Sequence, residues 1–313
     1  MTPSESADTR PRFEPFFVHV GSFVAVTVYF VIHGTASDPA EGVRIALPVA
    51  LVVMSGYMLA AHHNGLLKHF DFGLWSMFAV GSATVLGGMQ TARSLFADYS
   101  VAILFCTLGL VAAVPPLVGR EPFTMFFARR GTPVWQQKTR DFVIINWIIT
   151  AWFAVLFAAA AVLAAWAPHD FLFTFVYPNL LIFVAGLPSQ VWLPPLYLRL
   201  FGPHPPETVE TAILGMPMTF DARAAGDARA TVQFRVSGDD GGDFWLRVAD
   251  GTCEGFEGSA PSADLTINTP SSVWLAIARG ELDGPQALLG RQFSIEGDSS
   301  ILLRFGEWFP SRR

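Results

Sequence analysis

The stretch WLAIARGELDGPQALLGRQFSIEGDSSILLRF, residues Trp274 to Phe305, decides how this chain is read. It holds two short helices, a strand and a closing helix. Thr269 and Pro270 open the first helix as cap and first-turn residue, Val273, Trp274, Ile277 and Ala278 make its apolar stripe, and Gly280 ends it. GPQALLG (284–290) is a second short helix, and in RQFSIEG (291–297) Phe293 and Ile295 restore strand alternation. DSSILLRFGEWF (298–309) begins with an Asp/Ser cap and presents Ile301, Leu302, Phe305, Trp308 and Phe309.

Upstream the period is two. In ATVQFRVSG (230–238) Val232, Phe234 and Val236 alternate with polar residues, and in DFWLRVADG (243–251) Phe244, Leu246 and Val248 share a face. The intervening GDDGGD predicts a hairpin turn. TCEGFEGS (252–259) and ADLTINT (263–269) add further strands, and an antiparallel sheet of about five strands covered by helices is the α+β fold expected.

The rest of the chain differs in kind. Of 313 residues, 52% are hydrophobic and 15% charged, against about 25% charged in ordinary soluble domains. From Glu207 onward there are nine arginines, no lysine and 16 acidic residues, a net of −7, while Met1–Pro206 is poor in charge. The proline-rich FGPHPP (201–206) reads as a linker between a membrane domain (1–200) and an acidic domain (207–313). An acidic domain repels nucleic-acid phosphates, so nucleic acid is excluded as a partner.

A span takes about 20 apolar residues. Six segments qualify: 16–33, 44–61, 74–90, 101–118, 142–167, and 171–200, the last broken by Pro178, Pro188, Pro194 and Pro195. They predict a membrane all-α bundle of about six transmembrane helices. Gly81, Ser82, Gly87 and Gly88 suit close packing of the third. With the N-terminus inside, inner segments hold Arg10, Arg12, Lys68, Arg120, Arg129, Arg130, Lys138, Arg140 and Arg199, and outer loops only Arg44 and Arg93. That bias places both termini in the cytoplasm, in what is expected to be a bacterial inner membrane. The polar start, MTPSESADTRPR, is not that of a cleavable signal peptide. GREPFTMFFARRGTPVWQQKTRD (119–141) mixes aromatic and basic residues like an interfacial anchor. With NWIITAW it resembles a stretch of small bacterial membrane proteins that brings no known chemistry.

Polar groups inside spans are the default places to look for function. His19 and His33 lie on the first span, and His62, His63 and His69 are the histidines of HHNGLLKH (62–69), just inside the second. One histidine-rich loop without matching clusters argues against haem or a di-iron centre, so no metal or cofactor is expected. Asn146 and Asn179 read as interhelical hydrogen-bonding groups. Cys106 and Cys253 fall in different domains and read as inert thiols rather than a disulfide. No nucleophile elbow, P-loop, dinucleotide fingerprint or HExxH occurs, and no catalytic constellation is assigned.

The C-terminal elements resemble the sterol carrier protein 2 (SCP2) family. The likeness is carried by Gly280 to Ala287, then Ile295-Glu296-Gly297-Asp298, then Ile301 to Phe305, with TFDARAAGDARATVQFRVSG and FWLRVADGTCEGFEGSAPSADLTINT upstream. The family's first helix is represented only by the short PETVETAILGM (206–216). The resemblance implies an apolar tunnel between sheet and helices, binding a fatty acyl, sterol or phospholipid ligand without catalysis. Its expected wall and lid are Phe220, Val232, Phe234, Phe244, Leu246, Phe256, Trp274, Ile277, Leu288, Phe293, Ile295, Ile301, Leu302, Phe305, Trp308 and Phe309. The functional expectation is membrane-tethered binding and transfer of an apolar lipid, fatty acyl, sterol or hopanoid-like, or phospholipid. The alternatives are a scaffold, in which the domain docks a membrane protein partner, and, less favoured, a histidine-dependent membrane metalloenzyme.

Overall fold

The computed structural model describes residues 21–310. His19 and the start of the first expected span lie outside the described residues. The chain forms two compact units: Met1–Gly131 with Ile144–Leu200, and Thr132–Val143 with Phe201–Arg313.

The first unit is helical. Helices α1 (Gly21–Thr35), α2 (Pro39–His63), α3 (His69–Leu86), α4 (Gln90–Leu117), α5 (Thr124–Gly131) and α7 (Arg140–Trp166) follow in order, with the short α6 (Val134–Gln137) and the first turn of α7 in the second unit. A segment of wide π-helical turns, Leu172–Gly186, then precedes α8 (Ser189–Phe201), bent from it by 43°. The wide turns surround Pro178, which has no N–H to donate and whose ring crowds the carbonyl four residues back. Among the described residues α2, α4 and α7 are long and apolar enough to cross a membrane, and the bent pair makes a fourth if it counts as one span. Their outer faces are apolar: Val52, Leu59, Leu110, Val155 and Val191 are all exposed. A surface of that kind is compatible with lipid as its solvent.

Helix ends differ from the expected spans for local reasons. α3 starts at His69 because the Asp71 carboxylate accepts the Lys68 N–H at 3.0 Å, and it stops before Gly88, whose φ is +82°. Gly87 and Gly88 therefore end the helix, while Gly81 packs: a Cβ there would meet Phe96 at 2.8 Å and Leu47 at 3.0 Å. α4 begins well before Val101 but is kinked at Tyr99 (φ −117°, ψ 20°).

The second unit carries a five-stranded sheet in the order β3-β2-β1-β4-β5. The strands are β1 (Ala230–Ser237), β2 (Gly242–Ala249), β3 (Thr252–Glu257), β4 (Leu265–Pro270) and β5 (Ser294–Gly297). The expected all-antiparallel sheet is corrected: β4 runs parallel to β1, pairing Val232 with Leu265 and Phe234 with Ile267, so the sheet is mixed. The reason is the route of the chain. After the β1-β2-β3 meander, residues 258–264 cross back over the sheet and start β4 on the far side of β1.

Gln233 holds that crossing. Its side chain is buried on the sheet face opposite Val232 and Phe234. Nε2 donates to the Phe234 and Phe244 carbonyls, each at 3.0 Å, and Oε1 accepts the Ala260 N–H at 2.6 Å. A second correction follows from the same pairing. Thr269 and Pro270 continue β4 alongside Val236 and Ser237, so the helix begins one residue later, at Ser271, and Thr269 does not cap it.

Candidate functional site

The site is built on one face of the sheet. Side chains of directly paired residues point the same way, so Val232, Leu246 and Leu265 share a face, as do Phe234, Phe244 and Ile267, with Ile295 next to Ile267. Helices α9 (Val209–Leu214), α11 (Ser271–Ala278), α12 (Gly284–Leu289) and α13 (Ser299–Trp308) close over it, with the single turn α10 (Ala222–Ala225) contributing Ala225. Gly255, opposite Leu246, leaves room for α9: a Cβ there would stand 3.2 Å from Leu214 Cδ2. The helices are held at their starts by Asp283, which accepts the Gln286 N–H at 2.9 Å, and by Asp298, which accepts that of Ser300 at 2.9 Å. Ser300 holds the Asp298 carboxyl below its ordinary range.

The residues expected to form wall and lid come together in this cluster with one exception. Val232, Phe234, Phe244, Leu246, Trp274, Phe293, Ile301 and Trp308 are buried in it. Phe220, Ile277, Leu288, Ile295, Leu302, Phe305 and Phe309 pack against it half-buried. Phe256 stands on the other face, stacked on Trp245 with ring centroids 4.2 Å apart, beside the Arg247–Glu254 ion pair. Alternation along β3 places it there, because Gly255 and not Phe256 pairs with Leu246.

A row of rings leads from the centre to the surface. Phe234 meets Trp274 at 4.9 Å and Phe305 at 6.3 Å; Phe305 meets Phe309 at 5.1 Å, and Phe309 meets Phe220 at 5.7 Å. Phe220, the last ring of the row, also lines an open surface depression of about 520 Å³ with Met218, Asp221, Arg223 and Pro310 among others. Trp308 is tied to this rim: its carbonyl accepts the Asp221 N–H at 2.8 Å, and the Arg304 guanidinium lies 4.8 Å over its ring.

Three features are not evident in the sequence pattern. Thr132–Val143, expected as an interfacial anchor, belongs to this unit: Trp135 packs against its core, Lys138 Nζ lies 2.5 Å from Glu210, and Asp141 accepts from the His204 backbone N–H at 2.9 Å. Glu210 is the main reason the Lys138 ammonium titrates above its ordinary range. The Nε1–H groups of Trp274 and Trp308 are buried with no hydrogen-bond partner. In the helical unit, Asp71 and Lys68 are a fully buried pair, with Ser22 Oγ donating to the Asp71 carboxylate at 2.5 Å. The signal for that pair was Lys-x-x-Asp at a helix start, where Lys68 reads at first as a topology charge.

The histidines do not assemble. His62, His63 and His69 are exposed and His33 stacks on Tyr29 at 5.7 Å. Among the described residues no group of three or more His, Cys, Asp or Glu side chains is placed to hold a metal ion. Cys106 is exposed on α4, and burial pushes the Cys253 thiol up to about 12.

Residues 221–309 match the SCP-2 sterol transfer family, which identifies this part of the chain as an SCP2 domain. Two solved structures align with about the same length. Palmitated SCP2L2 from Aedes aegypti is 20% identical over 32% of this chain and 92% of its own, with a TM-score of 0.28. The apo form of sterol carrier protein 2 from Yarrowia lipolytica is 13% identical over 32% and 86%, with a TM-score of 0.25. The sec-alkylsulfatase Pisa1 from Pseudomonas sp. aligns over 87% of this chain and 46% of its own at 14% identity, with a TM-score of 0.30. All three scores are low, and the assignment rests on the family match alone. No curated protein matches the chain.

Proposed function

We propose that this chain is a membrane-anchored lipid-binding protein whose SCP2 domain takes an apolar lipid from the bilayer and exchanges it. The observation that carries the reading is the apolar interior of residues 221–309, with its row of rings running out to an open surface depression beside Phe220, in a segment that matches a sterol transfer family. The anchor is the helical unit, whose apolar outer faces suit lipid. Anchoring raises the effective concentration of the domain at the membrane, so a modest affinity suffices for exchange. The excess of inner Lys and Arg orients both termini to the cytoplasm, and the acidic domain needs no electrostatic adhesion to anionic headgroups. The domain acts by binding, with the α13 end (Phe305, Trp308, Phe309) as its lid.

The test is made on the full chain. Protein purified in detergent is delipidated, reconstituted in phosphatidylcholine vesicles, and offered pyrene-labelled fatty acid from quenched donor vesicles. The expected result is one saturable site per chain and transfer faster than between protein-free vesicles. Transfer no faster than the protein-free control, with no saturable site, refutes the proposal.

A further inference from the structure

Prolines stiffen residues 201–207. In FGPHPPE the rings of Pro203, Pro205 and Pro206 fix φ, and the residue before each proline is kept extended, so the segment bends little. It is also tied on two sides. His204 is held twice by Asp141: its backbone N–H donates to Oδ2 at 2.9 Å, and its ring Nδ1 stands 2.6 Å from Oδ1. Arg279 donates from Nε to the Pro206 carbonyl at 3.0 Å and from Nη2 to the Glu207 carbonyl at 3.3 Å. The residues that follow are fixed as well, the Val209 N–H by the Asp240 carboxylate at 2.7 Å and Glu210 by Lys138.

The two ties reach different helices. Asp141 stands in the first turn of α7, and His204 follows the end of α8 by three residues, so their bond holds only while those two helix ends are together. Arg279 is the cap residue at the end of α11, which lays Trp274 and Ile277 over the sheet face. Only Pro205 separates His204 from Pro206, so a break at one tie is felt at the other. The Asp141–His204 pair is partly buried and the stronger of the two, while the Arg279 bonds are exposed. Helix α13 is secured elsewhere, through Arg304 to the Ala225 carbonyl and through the Trp308 carbonyl to the Asp221 N–H.

We propose that residues 201–207 are a strap: latched at Asp141, it holds α11 closed over the sheet face, and release of the latch frees α11 and speeds lipid exchange. The effect on exchange rests on the lipid-binding reading above; the hold on α11 does not. The strap responds to the spacing between the start of α7 and the end of α8, and it sets the mobility of one cover of the apolar interior. With α11 held, opening falls to the α13 lid alone. With α11 freed, a second side opens.

The experiment uses the full chain in phosphatidylcholine nanodiscs. Asp141→Ala removes the latch without touching α11, Arg279→Ala cuts the strap at α11, and a third variant combines them. Amide hydrogen exchange is read by mass spectrometry on peptides covering 271–280. Asp141→Ala is expected to speed exchange there about fivefold, the hold of roughly one hydrogen bond, and Arg279→Ala to do the same. The double variant should again be about fivefold faster, not the roughly 25-fold of independent effects, because both changes cut one strap. Transfer of pyrene-labelled fatty acid between vesicles should rise in parallel. Unchanged exchange over 271–280 in Asp141→Ala, or a multiplicative double variant, overturns the strap. Freed α11 with unchanged transfer overturns its control of lipid exchange. No transfer by the unsubstituted chain refutes the lipid-binding reading, and exchange over 271–280 then decides the strap alone. Where Asp141→Ala does not fold, His204→Ala takes the ring out of the latch, leaves Asp141 in place and carries the same expectation with a smaller factor.

Discussion

Replacing Gln233 by leucine is the sharpest test of how the sheet is held together. The substitution opens no cavity, but it deletes the Nε2 donations to the Phe234, Phe244 and, at 3.4 Å, Gly258 carbonyls and the acceptance of the Ala260 N–H. The three contacts of 3.0 Å or less at about 1 kcal/mol each make the expected loss about 3 kcal/mol, the 3.4 Å contact to Gly258 adding little, and it is reduced towards 2 because Ala260 is only half-buried and water reaches its N–H. The loss is local, because Gln233 ties the crossing 258–264 to the strands beneath. Hydrogen exchange read by mass spectrometry on the full chain should therefore show peptides covering 258–264 exchanging roughly 30- to 100-fold faster. The first turn of α13 should speed up less, since it joins that segment only through the Asp298 N–H to the Asp264 carbonyl. Exchange changed less than threefold over 258–264 would show that the crossing is held by something other than Gln233.

Other expectations are as specific. Asp71→Leu leaves the buried Lys68 ammonium without its carboxylate and should cost about 3–5 kcal/mol in detergent unfolding, much of it recovered in the Lys68→Met/Asp71→Leu double variant; an additive loss refutes the coupling. Cys253, its thiol pushed up to about 12 by burial first and Glu254 second, should react with maleimide at pH 8 roughly a thousandfold more slowly than in the unfolded chain, measured in a Cys106→Ser background. The depressed Asp298 carboxyl contributes stability that is present above the ordinary carboxylate range and is lost as pH falls through its own lower value. The melting difference between the natural chain and Asp298→Asn, whose amide caps at every pH, should therefore change below about pH 4, and a constant difference refutes the role of the charge.

Much of the domain could be read from the sequence because period-two alternation carries its own geometry. Val232, Phe234 and Val236, and Phe244, Leu246 and Val248, lie on the buried face because no other register lets six apolar side chains avoid water. Alternation says which face is buried but nothing of which strand lies alongside or in what direction, so the parallel pairing of β1 and β4 was not legible. Gln233 escaped for the same reason: a polar residue in an alternating strand reads as solvent-facing, and only the chain crossing over it makes it buried. Phe256 shows the opposite error, where aromatic character was taken as evidence of burial although Gly255 held the inward position. In the helical unit hydropathy located the apolar runs, while end positions depended on single groups such as the Asp71 carboxylate and the left-handed Gly88.

The membership of Thr132–Val143 in the second unit bears on how the protein is made. The unit is discontinuous, with residues 144–200 inserted between its first piece and the rest. Trp135 leaves the ribosome well before the helix Val209–Leu214 beside it exists, so it must wait while the last helices are synthesised and placed. The domain is complete only when Trp135 and Trp308, 173 positions apart, are both present. A gene fragment cut at the proline-rich stretch would encode every strand of the sheet and still lack Trp135, Lys138 and Asp141. Assembly of the helices and completion of the domain are thus consecutive steps of one process, and a fault in the first should appear as misfolding of the second.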